Sequence, residues 1–266
     1  MTKTPLRVLP SPEAIGLDVA EGLLASIGSA RVAGRHFLLG CPTGRTPKPV
    51  FAAMARRLSE TKQDLSHVVL VLMDEYLVEG TRGAGLEYAP ADRPWSCHYF
   101  ARVEIAERLN AGLPRGRQLE ERSIWFPDPR DPEAYDARIA DAGGIDYFML
   151  ASGASDGHVA FNQPGSTRDS RTRIITLSES TRRDNMVTFP LFGTLDAVPH
   201  HGVSVGIATI ADAHAAVMIV MGASKRETLS RMQRAERYEP DWPATIIHEC
   251  SAGEIVSDPE AAASGI

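Results

Sequence analysis

Three stretches of strand length carry almost no polar interruption: residues 67–73, 145–150 and 216–221. Side chains on a strand alternate between its two faces, so a strand apolar throughout needs cover on both. That requirement belongs to a parallel sheet wrapped by helices, not to an antiparallel sheet with one wet face. The segments between these runs supply the helices. Residues 11–29 place Ala14, Ile15, Leu17, Val19, Ala20, Leu23 and Leu24 at helical spacing. Ser11-Pro12-Glu13 before them gives an N-cap, a proline at the first helical position and an acidic first turn. Further helices are predicted over 47–58, 98–110, 132–142 and 224–235, and further strands over 36–40, 172–177, 203–209 and 254–257. Strand and helix in alternation predict an α/β fold: a Rossmann-like, open, mostly parallel sheet with helices on both faces.

No repeat or Gly/Ser linker divides the 266 residues, a length that one α/β domain can occupy. One domain over residues 1–258 with a tail at 259–266 is expected. The stretches 79–94 and 178–201 are rich in Gly, Pro and Arg without periodicity and read as loops of the kind that serve as lids. Hydrophobic residues at 43% and charged residues at 23% are ordinary soluble values. No apolar run approaches the roughly 20 residues that cross a bilayer. The first ten residues lack the apolar centre of a signal peptide, so a cytoplasmic protein is expected. Cys41, Cys97 and Cys250 are too few and too far apart for a disulfide framework or a zinc site, which predicts reduced thiols. The net charge of −6 argues against a general nucleic-acid binder, while a small anion needs only a local basic pocket.

Chemistry concentrates where predicted strands end. Ligands in open α/β sheets bind beyond the carboxyl ends of the strands, and the polar run 151–166 starts there. Within it, Asp156 and His158 fall where an acid–base pair is expected, although Asp-Gly-His can also be a plain turn with a surface histidine. Met73-Asp74-Glu75-Tyr76 closes another strand. Alternation sends one carboxylate into the crevice and the other away, and Asp74 is the crevice residue, placed to move a proton between neighbouring sugar carbons. A helix cap or a strand-end ion pair is the plainer role. Between the first core strand and its helix, Pro42-Thr43-Gly44-Arg45-Thr46-Pro47 offers a glycine for close approach, Thr43 and Thr46 hydroxyls, and the N–H groups of a new helix. It lacks the endings of nucleotide-binding loops, so a phosphorylated metabolite fits better than a nucleotide. Lys225 follows a strand through Gly222-Ala223-Ser224. A cation in a first helical turn opposes the helix dipole, which favours an anion-binding role.

In this order and spacing, these motifs resemble the glucosamine-6-phosphate deaminase/isomerase family, whose fold is shared with 6-phosphogluconolactonases. The resemblance runs over residues 37–258 and includes Asp156-Gly157-His158-Val159-Ala160-Phe161-Asn162-Gln163-Pro164 and Ser170-Arg171-Thr172-Arg173. Asp-Glu-Tyr and Ala-Phe-Asn-x-Pro are similar to the deaminase branch. The resemblance implies that Asp74 moves the proton between the first two sugar carbons. It also implies that His158, oriented by Asp156, opens the pyranose ring, and that Lys225 binds the phosphate, beside the candidate cradle of Thr43, Gly44, Arg45 and Thr46. No metal or redox cofactor is implied. The partner is a small anionic sugar, with no nucleic acid or membrane, and a homo-oligomer remains open.

Two positions depart from that pattern. Gln163 stands where the family has a glutamate that supports the histidine. An amide can bond an imidazole but supplies no charge, so ring opening is expected to suffer. Val187 falls where a phosphate-binding arginine is expected, with Arg45, Arg182 and Arg183 as replacements. The leading expectation is a deaminase/isomerase of an amino-sugar phosphate. Its alternatives are a lactone hydrolase of the 6-phosphogluconolactonase type, an aldose–ketose isomerase on another anionic sugar, and a non-catalytic sugar-phosphate sensor.

Overall fold

The apolar strands do assemble in parallel. The computed structural model describes residues 4–80 and 85–263. It contains β1 (Leu6–Val8), α1 (Pro12–Val32), β2 (Phe37–Cys41), α2 (Lys48–Thr61), β3 (Val68–Leu72), β4 (Asp74–Glu79) and β5 (Leu86–Tyr88). A helix then begins as α3 (Cys97–Tyr99), widens to a π-helix over Phe100–Glu107 and ends as α4 (Arg108–Asn110). Next come β6 (Ile124–Trp125), α5 (Glu133–Asp141), β7 (Tyr147–Ala151), β8 (Arg173–Thr176), α6 (Glu179–Thr188) and β9 (His201–Ser204). The chain closes with α7 (Ile207–Ala211), β10 (Ala216–Val220), α8 (Arg226–Arg234), β11 (Gly253–Ser257) and α9 (Pro259–Ala262). No helix among the described residues is long and apolar enough to cross a membrane.

Seven strands pair in the order β1-β11-β10-β7-β2-β3-β6, every neighbour parallel. Alternation divides their side chains between two cores. Leu39, Leu70, Leu72, Met149, Val217 and Ile219 pack toward α1, α2 and the helix begun by α3. Leu38, Val69, Val71, Phe148, Leu150 and Met218 pack toward α5, α7 and α8. The chain builds from β2 outward through β3, then returns to place β7 on the other side of β2, so the loops after β2 and β7 part from each other there. Such a switch in strand order opens a crevice at the carboxyl edge.

A second sheet of four strands, β5-β4-β9-β8, is antiparallel. It carries its own core, in which Tyr76 packs on Phe161 at 5.0 Å and meets Trp95 edge-on at 5.6 Å between ring centroids. The strand expected over 172–177 therefore lies in this sheet and not the parallel one. The strand expected over 203–209 stops at Ser204, because Gly206 caps a helix whose residues Ile207–Ala211 are all buried. Within the expected loop 178–201, α6 forms behind the N-cap Ser178, whose hydroxyl accepts from the Thr181 N–H. In the expected loop 79–94, Leu86–Tyr88 pairs with β4, while residues 81–84 lie outside the described residues. The start of the tail at 259 forms a helical turn capped by Asp258, and residues 264–266, like residues 1–3, lie outside the described residues.

Gly40 lets the two central strands meet. A Cβ there would lie 2.1 Å from the Phe148 ring, which is fully buried. Gly40→Ala is expected to destabilise the protein by about 1–3 kcal/mol through overpacking. Adding Phe148→Leu should recover part of that loss, a coupling read from urea unfolding of the two single variants and the double variant.

Candidate active site

The crevice holds a cavity of about 330 Å³, at the small end for ligand sites. The turn after β2 forms one wall. Gly44 makes that turn, at φ 91°, and a Cβ on it would lie 2.9 Å from Thr188 Cγ2. Gly44 itself is buried behind the surface that Thr43, Arg45 and Thr46 present to the cavity.

Asp74 opens β4 immediately beyond β3 and faces the cavity, while Glu75 turns into the protein. Glu75 is fully buried and accepts hydrogen bonds from the Tyr76, Cys97 and His98 N–H groups, the Ser96 hydroxyl and His98 Nδ1. Asp74 has far less support. Burial pushes its pKa up to about 7; the Glu75 charge adds to the rise, and the Cys97 thiol and His158 oppose it. A carboxylate poised near neutrality both takes and returns a proton.

His158 lines the same cavity with Asp156 behind it, Nδ1 lying 2.7 Å from Asp156 Oδ1. Burial raises the Asp156 pKa, but the hydrogen bond and charge of His158 and the Ser180 hydroxyl outweigh it, so the carboxyl stays ionised well below its usual range. Ser180 and Thr181 both donate to Asp156 Oδ2, at 2.8 and 3.0 Å. The pair is therefore braced from α6, which leaves the other imidazole nitrogen, Nε2, for a reacting atom.

Lys225 sits at the end of a 3₁₀ turn, Ala223–Lys225, and its ammonium donates to the Ser152 carbonyl. Burial lowers its pKa to about 8, opposed by Asp184 and helped by Arg45. Arg45 faces the cavity too. The other two arginines do not: Arg182 is buried on the Leu195 and Val198 carbonyls, and Arg183 pairs with Glu179 on the surface. Val187 lines the cavity but brings no charge.

α6 also contributes Asp184, Asn185 and Thr188 to the cavity wall, residues that the apolar pattern gave no reason to select. Asp184 Oδ2 accepts from the Ala154 and Ser155 N–H groups at 2.9 and 3.1 Å. Donor atoms of Asp156, His158 and Asp184 lie within 4.8 Å of one another. These are ligand types for a cation, yet Asp156 already has both oxygens engaged. Asn185 is buried with its side-chain nitrogen unpartnered among the described residues. Ser178 followed by Glu179 is the one sequence signal, an N-cap with an acidic first turn, that could have marked this helix.

A profile of glucosamine-6-phosphate isomerases/6-phosphogluconolactonase matches residues 10–256. The chain belongs to that family. It is 38% identical over 232 residues to a glucosamine-6-phosphate deaminase of Rhodococcus jostii, covering 85% of this chain and 80% of that one. A glucosamine-6-phosphate deaminase of Streptomyces avermitilis is 35% identical over 228 residues, 84% of this chain and 78% of that one. Among solved structures, a monomeric glucosamine-6-phosphate deaminase superposes with a TM-score of 0.80 at 25% identity, covering 97% and 98% of the two chains. The 6-phosphogluconolactonase of Trypanosoma brucei shares the fold at a TM-score of 0.70 and 19% identity, with 98% of each chain covered.

In this family member the Gln163 amide makes its hydrogen bonds to groups other than the histidine. Its Nε2 donates to the Thr176 carbonyl at 3.0 Å, and its Oε1 accepts from the Ser178 N–H at 2.6 Å. No hydrogen bond joins it to His158 among the described residues. Only an amide donates and accepts at once in this way, so a glutamate would lose the Thr176 bond. Gln163 instead anchors the residue that caps α6, and α6 braces Asp156.

The cationic end of the cavity should bind a dianion below pH 8 and release it above, because Lys225 loses its charge as pH rises through about 8. Sulfate, whose charge is constant in this range, is the probe. Calorimetry should show its affinity falling between pH 7 and pH 9. Lys225→Ala should weaken it about tenfold or more at pH 7, and Asp184→Asn should move the fall in affinity to lower pH, because the Asp184 charge helps Lys225 keep its proton.

Proposed function

We propose that this protein is a cytoplasmic enzyme that isomerises and deaminates an amino-sugar phosphate, yielding a ketose phosphate and ammonia. A single observation carries this reading: a carboxylate poised near neutrality, Asp74, faces the Asp156–His158 pair across one small cavity with cations at its end. The names of the family relatives support the same substrate class.

Each step has a group placed for it. The phosphate lies against Lys225, Arg45 and the Thr43 and Thr46 hydroxyls of the turn before α2, where two cations and two hydroxyl donors favour an anion. His158 handles the ring-oxygen proton as the pyranose opens, with Asp156 holding the imidazole in orientation. Asp74 then removes the proton from the second carbon and returns it to the first. As the amine gives up a proton and the first-carbon oxygen takes one up to become a hydroxyl, an imine is left at the second carbon, which water hydrolyses to a ketone with release of ammonia. Sequestration in a buried crevice protects the intermediate between these transfers.

One observation favours lactone hydrolysis as a second reading. With Gln163 engaged elsewhere, the Asp156–His158 pair suffices to activate water without help from a further partner at that position. Hydrolysis, however, leaves the neutral-range carboxylate Asp74 without a task.

The two readings separate in one assay series. Glucosamine 6-phosphate should release ammonia, and 6-phosphogluconolactone should be hydrolysed no faster than in buffer; the reverse pattern would replace the first reading with the second. Asp74→Asn should lower kcat by about 10²–10⁴-fold, the usual contribution of a general base. Substrate affinity should stay within about tenfold, since the shape is kept. For the parent, kcat/KM should rise with pH up to about 7 as Asp74 ionises, then fall above about 8 as Lys225 loses its proton. Saturating anionic substrate should move the upper limb to higher pH in kcat, because the bound phosphate favours charged Lys225.

A further inference from the structure

We propose that Cys97 is a positioning residue for the proton-carrying carboxylate, fixing Asp74 through a thiol hydrogen bond and linking it to the anion-binding turn. The inference rests on the reading of Asp74 as the proton carrier. Its physical basis is a contrast between neighbours. Glu75 accepts five hydrogen bonds, whereas the Asp74 carboxylate accepts one among the described residues, from Cys97 Sγ to Oδ1 at 3.3 Å. A buried carboxylate with a single donor has its orientation and its ionisation set largely by that donor.

The thiol is held in place for this task. Cys97 is 1% exposed, and its backbone N–H donates to Glu75 Oε1 at 3.1 Å. Ser96 caps the helix that begins at Cys97, its hydroxyl accepting from the His98 and Tyr99 N–H groups, and the same hydroxyl donates to Glu75. Glu75 therefore clamps residues 96–98 as a unit and aims the intervening side chain at Asp74. On its other side Cys97 Sγ lies 3.5 Å from Thr43 Oγ1, in the turn that faces the cavity. One atom thus touches both the proton carrier and the proposed phosphate cradle.

The weak donor suits the site. Asp74 is faced by Glu75 and Tyr76 from its own strand, by His158 from the loop after β7, and by Cys97 from α3. Burial and Glu75 raise its pKa, and the Cys97 hydrogen bond lowers it more than the charge of His158 does. A thiol orients the carboxylate while only partly stabilising its charge, and so leaves it in the neutral range. The thiol itself stays protonated, since burial and the two carboxylates push its pKa well up.

The test compares Cys97→Ala and Cys97→Ser in the full-length protein. Cys97→Ala removes the one donor to Asp74 among the described residues, so the acidic limb of the kcat/KM profile should move up by about half a pH unit or more. Activity should then fall more at pH 6 than at pH 8, with KM changed less than about twofold. Cys97→Ser restores a hydroxyl donor and should return the limb to its parental position or below. A measurement independent of turnover runs alongside: the infrared carboxyl band that disappears in Asp74→Asn is titrated in each protein. The same shifts in that midpoint support the proposal even if Asp74 proves not to be the catalytic base. An unshifted midpoint in Cys97→Ala, whether or not stability drops, overturns it.

Discussion

The peptide at Met73 is where two incompatible hydrogen-bonding patterns meet. Up to Leu72 the chain pairs in parallel with β2 and β6, and from Asp74 it pairs antiparallel with β5 and β9. The Met73 carbonyl accepts from the Val205 N–H at 2.8 Å, so the joint is closed by the segment that returns from the second sheet. A strand cannot serve two ladders without turning its edge, and the turn leaves Asp74 and Glu75 at the mouth of the parallel sheet. The cavity exists because the second sheet rises from that point and walls off the crevice between the loops after β2 and β7.

Desolvation then acts on two adjacent carboxylates with opposite results. An isolated charge removed from water is strongly disfavoured, and hydrogen-bond donors are what offset the penalty. Glu75 has a full set from residues 76 and 96–98 and becomes part of the scaffold. Asp74 is left short of donors and answers by holding its proton to about pH 7. The same rule separates the other groups of the site: Asp156, with donors from His158, Ser180 and Thr181, stays ionised, while burial makes the Lys225 ammonium give up its proton more easily.

The parallel sheet was legible because its strands are apolar on both faces, and the residues at their carboxyl ends followed from that one geometric fact. Asp74, His158, Thr43, Arg45, Thr46 and Lys225 all face one cavity for this reason. The second sheet was not legible: β8 and β9 are four residues each, and a short run does not reveal its pairing partner. α6 was hidden more deeply. Its buried residues are Thr181, Arg182 and Asn185, so it has no apolar stripe to announce it. Gln163 was expected to bond His158 and instead bonds Thr176 and Ser178, because spacing along the chain says nothing about which way a side chain turns. Ile207–Thr209, the first part of α7, read as strand because a short segment buried all round has no periodicity to distinguish the two.

That polar helix has a consequence for how such a site can change over time. The strands carrying Asp74 and the loops carrying His158 and Lys225 are tied to cores that tolerate little volume change. α6 is attached mainly by hydrogen bonds, through Ser178, Ser180, Thr181, Arg182 and Asp184, yet it forms the wall that includes Asp184, Asn185, Val187 and Thr188. Substitutions at its cavity-facing positions alter charge and shape around the ligand without opening a void in the hydrophobic interior. The fold thus separates the well-packed elements that carry Asp74, His158 and Lys225 from a polar helix that shapes one wall of the cavity, so the wall can be reshaped while the rest stays fixed.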